Sequence, residues 1–218
     1  NGNLISSFES SLNTTGYPIF PTAVISDGNG GVYVAGNYHF TTSFGTFTLN
    51  SDVTNSFQGF VIHLDNTNTV LSANSVGDFN ISGNDFVWDL AIDQNNNLLA
   101  VGNIDDGSSS NQHRTFIKKY TQGALDTTLY SDQIDYNYSD EYGAKINVDN
   151  NGDIYMFTFF YFNPYNANYV FNSVPLNPVF ENSHILYKLD PSFNHINAVD
   201  FGTNSQNVYQ IEVLSNND

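Results

Sequence analysis

A motif that returns at long, uneven intervals governs what this chain folds into. Ala23-Val-Ile-Ser-Asp27-Gly-Asn-Gly-Gly-Val32-Tyr-Val-Ala-Gly36 recurs as Leu90-Ala-Ile-Asp93-Gln-Asn-Asn-Asn-Leu98-Leu-Ala-Val-Gly102. It recurs again as Ile146-Asn-Val-Asp149-Asn-Asn-Gly-Asp-Ile154-Tyr-Met-Phe157, and Ile211-Glu-Val-Leu-Ser-Asn-Asn-Asp218 matches its opening. Each full copy is a short apolar run, an Asp, four turn-forming residues and a second apolar run. That pattern is a β-hairpin, in which Asn and Gly supply the positive φ a tight loop needs. A second motif follows: Phe60-Val-Ile-His-Leu-Asp65, Phe116-Ile-Lys-Lys-Tyr-Thr121 and Ile185-Leu-Tyr-Lys-Leu-Asp190. A third comes after it, as Val70–Ser75, Leu129–Ile134 and Ile196–Phe201, and Leu4–Phe8 resembles an earlier copy of it. Each unit reads strand, hairpin, strand, long loop, strand, loop, strand.

The length variation between units falls in the long loop, which spans Asn37–Gln58, Asn103–Arg114 and Thr158–Ser183. Variable loops on a constant strand frame are the mark of a repeat architecture, and such loops often carry binding. No sustained i, i+3, i+4, i+7 apolar stripe with caps is present, so helix is not expected. The fold class expected is all-β, built of four-stranded antiparallel β-propeller blades. A β-sandwich also has many short strands, but does not explain one four-strand order occurring three times. A β-solenoid has coils of only ~20–30 residues. The whole of 1–218 is read as one propeller region. Its units are 23–76, 90–135 and 146–202, with flanking partial-blade strands at 3–9 and 208–214. Propellers have about 4–8 blades, so further blades are expected beyond this sequence or from a partner.

Charge narrows the classes of partner. Five Lys plus Arg stand against 22 Asp plus Glu, a formal net charge of −17, and charged residues make up only 12%. Such a chain repels phosphate backbones and anionic membranes, because both are bound through Lys and Arg. The plainest reading of the charge is that it keeps the protein soluble; cations, neutral glycans and basic proteins stay open as partners. No apolar run approaches the ~20 residues a membrane helix needs. The start, Asn1–Ser11, lacks the basic and apolar segments of a signal peptide. There are no cysteines, which removes disulfides, thiol nucleophiles and Cys-zinc sites from consideration.

The repeat resembles the long blade repeats called SBBP (seven-bladed β-propeller) repeats, found in large secreted and surface proteins of Bacteroidetes. That family's unit resembles v-D-x-x-G-N-x-Y-v-x-G-x-F, then F-G-x-x-x-L, then F-v-x-K-L-D-x-x-G. Here Asp27, Asn29, Tyr33, Gly36 and Phe40 carry the first part, Phe44-Gly45 with Leu49 the second, and Phe60–Asp65 the third. His63 stands where the family has Lys, which Lys188-Leu-Asp190 restores in the last unit. The middle unit lacks the Phe-Gly segment, and the last has an aromatic insertion in its place. Shorter NHL-type repeats share the v-D-x-x-G-x-x-Y-v start, with a shorter period than this one. The resemblance implies an extracellular or cell-surface location and an adhesive, filamentous or scaffolding role.

The search for chemistry is largely negative. Asp149-x-Asn151-x-Asp153 resembles the first half of a calcium loop, yet no Glu follows at the distance such loops require. The competing reading is a hairpin turn whose Asp side chain caps backbone amides. His39, His63, His113, His184 and His195 form no spaced pair such as H-x-x-x-H, and His63 is read as an outward strand residue. G-x-S-x-G, G-x-x-x-x-G-K and G-x-G-x-x-G are all absent. Asp105-Asp106 and Asp140-Glu141 are acid pairs in polar loops; they read either as solvated loop acids, the commoner case, or as the carboxylates with which a propeller enzyme would act on polysaccharide. Phe157–Tyr165, with Tyr169 and Phe171, reads either as a strand buried on both faces with a covering loop or as an exposed aromatic platform. The sequons at Asn13, Asn80 and Asn137 lie between units, where Asn and Ser are also ordinary loop residues. The leading expectation is a non-enzymatic surface protein with no cofactor and no catalytic residue. Its propeller makes protein or glycan contacts and self-assembles with other blades or copies. An intracellular scaffold is the third reading.

Overall fold

A computed structural model describes residues 18–51, 56–77, 83–105, 113–121, 123–133, 140–161, 169–171, 174–176, 182–202 and 211–212. The described residues are all-β. The first unit contains β1 (Phe20–Ser26), β2 (Val32–His39), β3 (Thr42–Phe44), β4 (Phe47–Leu49), β5 (Phe57–Leu64) and β6 (Val70–Ser75). The second contains β7 (Phe86–Ile92), β8 (Leu98–Asp105), β9 (His113–Thr121) and β10 (Ala124–Gln133). The third contains β11 (Asp140–Val148), β12 (Ile154–Tyr161), β13 (Tyr169–Phe171), β14 (Val174–Leu176), β15 (Asn182–Leu189) and β16 (His195–Asp200).

Each unit forms a four-stranded antiparallel meander, ordered β1-β2-β5-β6, β7-β8-β9-β10 and β11-β12-β15-β16. The long loops do not stay unstructured. In the first unit, β3 and β4 make a separate hairpin. In the third, β13 leaves its own unit and pairs with β10, so the second sheet grows to the order β14-β13-β10-β9-β8-β7. The sheets close into no barrel or ring among the described residues. The flanking strands expected at 3–9 and 208–214 lie outside the described residues, apart from Ile211 and Glu212, which are in no strand. No helix among the described residues is long and apolar enough to cross a membrane.

The three sheets stack face to face, and the period-2 alternation of the strands decides which residue goes where. From β2, Tyr33 and Ala35 pack toward the second sheet, while Val32 and Val34 face the other way. From β8, Leu98 and Ala100 meet the first sheet, and Leu99 and Val101 meet the third. The uninterrupted run Leu98–Val101 is what a strand covered on both faces requires. Ile154, Met156, Ile185 and Tyr187 complete the second interface from the third sheet. Outside the first sheet, Phe44 and Leu49 of the β3–β4 hairpin cover Tyr38 and Phe60. The first strands of the units lie next to one another, β1 against β7 and β7 against β11.

Every first strand carries a bulge at the same level, between Pro21 and Ala23, Val87 and Asp89, and Tyr142 and Lys145. A bulge unpairs a residue and bends the strand. Opposite the first two bulges, Gly36 pairs with Phe60 and Gly102 with Phe116. A Cβ at Gly102 would collide with the Phe86 carbonyl and press on the Phe116 ring. The third unit answers the same demand differently: Thr158 pairs with the smaller Ile185.

Candidate binding face

The connections separate into two ends of the stack. One end holds the tight turns after the first and third strands. The other holds the long insertions and the links between units.

The turn end is built from one device used five times. In Asp27, Asp93, Asp149, Asp65 and Asp190, Oδ1 accepts the backbone N–H groups two and four residues later, at 2.8–2.9 Å. This side-chain capping of a turn is why Asp holds the position. The second oxygen ties the turn to the third strand. Asp27 Oδ2 meets His63 Nε2 at 2.9 Å, and Asp93 Oδ2 meets Lys119 Nζ at 3.1 Å. In the third unit the lysine moves to the end of the turn, with Lys188 Nζ 2.7 Å from Asp153 Oδ2. The partner side chain also lies against an aromatic ring: His63 stacks on Tyr33 at 4.2 Å, and Lys188 sits 5.2 Å from the Tyr155 ring centre.

These bonds shift the acids. The His63 hydrogen bond, then the turn amides, hold the Asp27 carboxyl below its ordinary value. Burial pushes Asp93 up, but its bonds from Asn97, Lys119 and Asn95 outweigh this and leave it lowered. Side-chain bonds from Thr67 and Asn194 lead the lowering of Asp65 and Asp190. The hydrogen bond to Asp153 leads the raising of Lys188.

The calcium reading of Asp149, Asn151 and Asp153 meets a definite obstacle here. Asp149 Oδ1 is taken by two amides, Tyr155 donates to its Oδ2 at 3.3 Å, and Asp153 is held by Lys188. Among the described residues no group of three His, Asp or Glu side chains is placed to hold a metal.

The insertion end is polar and buried. Asn37, Gln58, Asp85, Asn103, Asp105, His113, Thr115, Thr158 and His184 are all buried there. Several of them join the units. Asn37 Oδ1 accepts Val87 N–H of the second unit at 3.0 Å, and the Thr22 hydroxyl at the β1 bulge donates to Val87 O at 2.8 Å. The Thr115 and Thr158 hydroxyls meet at 3.2 Å across the second and third sheets. Asp85 Oδ1 accepts the N–H of Asp105 at 3.0 Å, so two buried acids lie close together.

Between the first strands there is a cavity of about 380 Å³, lined by Ile25, Asp89, Ile92, Lys145, Asn147 and Ile211 among others. Asp89 Oδ2 accepts Ile146 N–H at 3.2 Å, and Lys145 donates to Trp88 O at 3.4 Å. Burial raises the Asp89 carboxyl, against the opposing pull of Lys145 and two amides. One acid, one amine and one amide line the cavity and its surface is mainly polar, so it suits a small polar group. It holds no Ser, Thr or Cys nucleophile among its lining residues.

The residues singled out in the sequence scatter over this frame. His63 is partly buried, held by its hydrogen bond to Asp27 and stacked on Tyr33 rather than pointing freely to solvent. His39 packs edge-on against Phe40 and Phe57, His184 stacks near Phe157 and Phe159, and His113 faces Asp105 in register. His195 opens β16. Asp106, Asn13, Asn80 and Asn137 lie outside the described residues, and Asp140 and Glu141 are placed only as strand backbone. Phe157 is buried within β12, and Tyr169 and Phe171 belong to β13, while Tyr165 lies outside the described residues. Sequence reasoning missed Asp89 and Asp85. The one signal for Asp89 was a charge within the apolar run Phe86–Ile92. No known protein family matches the chain, and no curated protein is similar to it.

Proposed function

We propose that the three units are β-propeller blades and that the chain is a non-enzymatic, extracellular or cell-surface protein that binds and scaffolds. One observation carries the propeller reading. Among the described residues β1, β7 and β11 lie side by side, whereas the last strands β6, β10 and β16 show no comparable contact, Asn74 of β6 reaching Gly123 before β10 by a hydrogen bond. Sheets gathered at their first strands and separate at their last are wedges, and wedges stacked in sequence lead around an axis. Ile211 supports the same reading, since its carbonyl accepts a hydrogen bond from Asn147 of β11 at 3.1 Å, beside the other first strands.

The binding role rests on the contrast between a turn end repeated almost unchanged and an end that gathers the variable insertions, where binding loops often lie. The net charge of −17 favours neutral glycans or basic proteins as ligands. The surface location rests on the resemblance to SBBP repeats. A second reading, an enzyme acting on polysaccharide, is kept because Asp85 and Asp105 are buried together.

Incubation with a panel of insoluble polysaccharides, measuring retained protein and released reducing sugar in the same samples, separates the readings. Retention without release is expected. Sugar release that disappears in Asp85→Asn or Asp105→Asn would establish the enzyme instead.

A further inference from the structure

The first Asp-led turn differs from the other four in one bond. After Asp65, Asp93, Asp149 and Asp190, the N–H three residues on donates to the Asp carbonyl at 2.9–3.0 Å. Those donors are Asn68, Asn96, Gly152 and Phe193, and each takes a positive φ. After Asp27 the corresponding residue is Gly30, whose N–H bonds to nothing among the described residues. The Asn29 side chain reaches the Asp27 carbonyl instead, with Nδ2 at 3.4 Å. Gly28 marks the different course of this turn. It adopts φ +76°, which the residues at its place in the other turns do not, and glycine enters that region without steric cost.

Two Asn-Gly steps therefore stand at equivalent places in different states, Asn29-Gly30 and Asn151-Gly152. Both asparagines are exposed. Gly30 is exposed too, and its N–H is free. Gly152 is buried, and its N–H is held by the Asp149 carbonyl at 3.0 Å. A Cβ at Gly152 would lie 3.0 Å from Pro191 Cγ and 3.3 Å from Gln94 Cδ, so its surroundings are closely packed.

We infer that Asn29 is a site of spontaneous deamidation and isoaspartate formation, and that the fold protects Asn151 from the same reaction. A base in the solvent takes the Gly30 N–H proton, and the nitrogen attacks Asn29 Cγ. The N–Cγ bond forms, the Cγ–Nδ2 bond breaks, and Nδ2 leaves as ammonia with a proton from solvent. Water then opens the succinimide ring at one of its two carbonyls, giving aspartate or isoaspartate. Glycine favours this step because it has no Cβ to obstruct ring closure. At Asn151 the attacking nitrogen must first give up its bond to Asp149 and its burial, which requires a local opening of the turn. Both products add a negative charge, and isoaspartate adds a carbon to the backbone between Asp27 and Gly31. Asp27 Oδ1 then no longer reaches the N–H groups of residues 29 and 31 together, in the turn through which Asp27 also holds His63.

Peptide mapping by mass spectrometry, after incubation of the whole chain in mildly alkaline buffer, follows both steps in one sample. In the folded protein Asn29 is expected to convert at least about tenfold faster than Asn151, the worth of one backbone hydrogen bond with its burial. In urea the two rates are expected to converge. Gly28→Asn gives the first turn the Asp-Asn-Asn-Gly order of the third, and a Cβ there meets nothing within 4 Å. That variant is expected to slow conversion of Asn29 toward the rate of Asn151. In wild type the thermal midpoint is expected to fall as the isoaspartate fraction grows. Equal rates in the folded chain, or a difference that persists in urea, overturn the inference. So does an unchanged Asn29 rate in folded Gly28→Asn, which would mean that the free Gly30 amide does not set the site.

Discussion

The turn end and the insertion end are made from the same strands but by different rules. At the turn end an Asp closes its own turn within five residues, and a cation from the third strand takes its free oxygen. The solution is local, so it recurs with little change. At the insertion end, the first unit's hairpin lies on its own sheet, and the third unit's hairpin joins its neighbour's. There the partners are distant in sequence, and each unit differs. Constraint by local hydrogen bonding yields repetition, and constraint by neighbours yields variety.

The largest break in this comparison is expected at the insertion side of the second sheet. Gly102→Val forces a side chain onto the Phe86 carbonyl and the Phe116 ring and is expected to cost about 3 kcal/mol or more. Urea unfolding measures it. Adding Phe116→Ile to Gly102→Thr recreates the Thr158–Ile185 pair and removes the ring contact while the Phe86 carbonyl contact stays, so a partial recovery is expected. No recovery would show that the Phe ring is not what demands glycine.

Next comes the turn device. Asp93→Ala removes the acceptor of two amides and the partner of Lys119, an expected loss of about 2 kcal/mol. At the other end, Asn84→Ala removes a single acceptor of Phe57 N–H and is expected to cost about 1 kcal/mol. Equal losses from the two variants would erase the contrast between the ends.

Acid titration sharpens it further. Asp27 and Asp93 have carboxyls lowered in the folded protein, so their contribution is complete above the unfolded value near 3.8 and is lost as pH falls through the folded values. Asp89 is raised, which gives the opposite sign: stability declines as pH rises from about 3.8 through its folded value. Asp89→Asn is therefore expected to remove that decline while the turn variant Asp93→Asn reduces the acid-side loss. Parallel pH profiles for the two variants would contradict the assignment. The smallest effect is expected for His63→Lys, which places the side chain of the other units against Asp27. Stability is expected to stay within about 0.5 kcal/mol in thermal melts.

Much of the strand frame was legible because apolar alternation and Asp-led turns are local signals. The hairpins at Asp27, Asp93 and Asp149 stand where the repeated motif places them. The pairing of β13 with β10 was not legible, since it joins Gln133 to Tyr169 by backbone bonds that no side-chain pattern encodes. The calcium-like spacing at Asp149 reads the same whether the carboxylate faces a metal or its own amides; only the position of Lys188 and Tyr155 distinguishes them. Asp89 and Asp85 were passed over because burial of a single acid depends on which sheets stack above it.

The hairpin that the third unit lends to the second changes how the protein comes apart. In an ordinary array, neighbouring repeats meet through their stacking interface and share no strands. Here the third unit also holds β13 and β14 in the second sheet, and β10 has its outer edge occupied by a strand from further along the chain. Unravelling the third unit draws those strands out and exposes a fresh edge on its neighbour. The second and third units are thus tied by strand pairing as well as by stacking, while the first, whose hairpin closes on itself, is joined to the second by its stacking interface and the bonds of Asn37 and Thr22 to Val87.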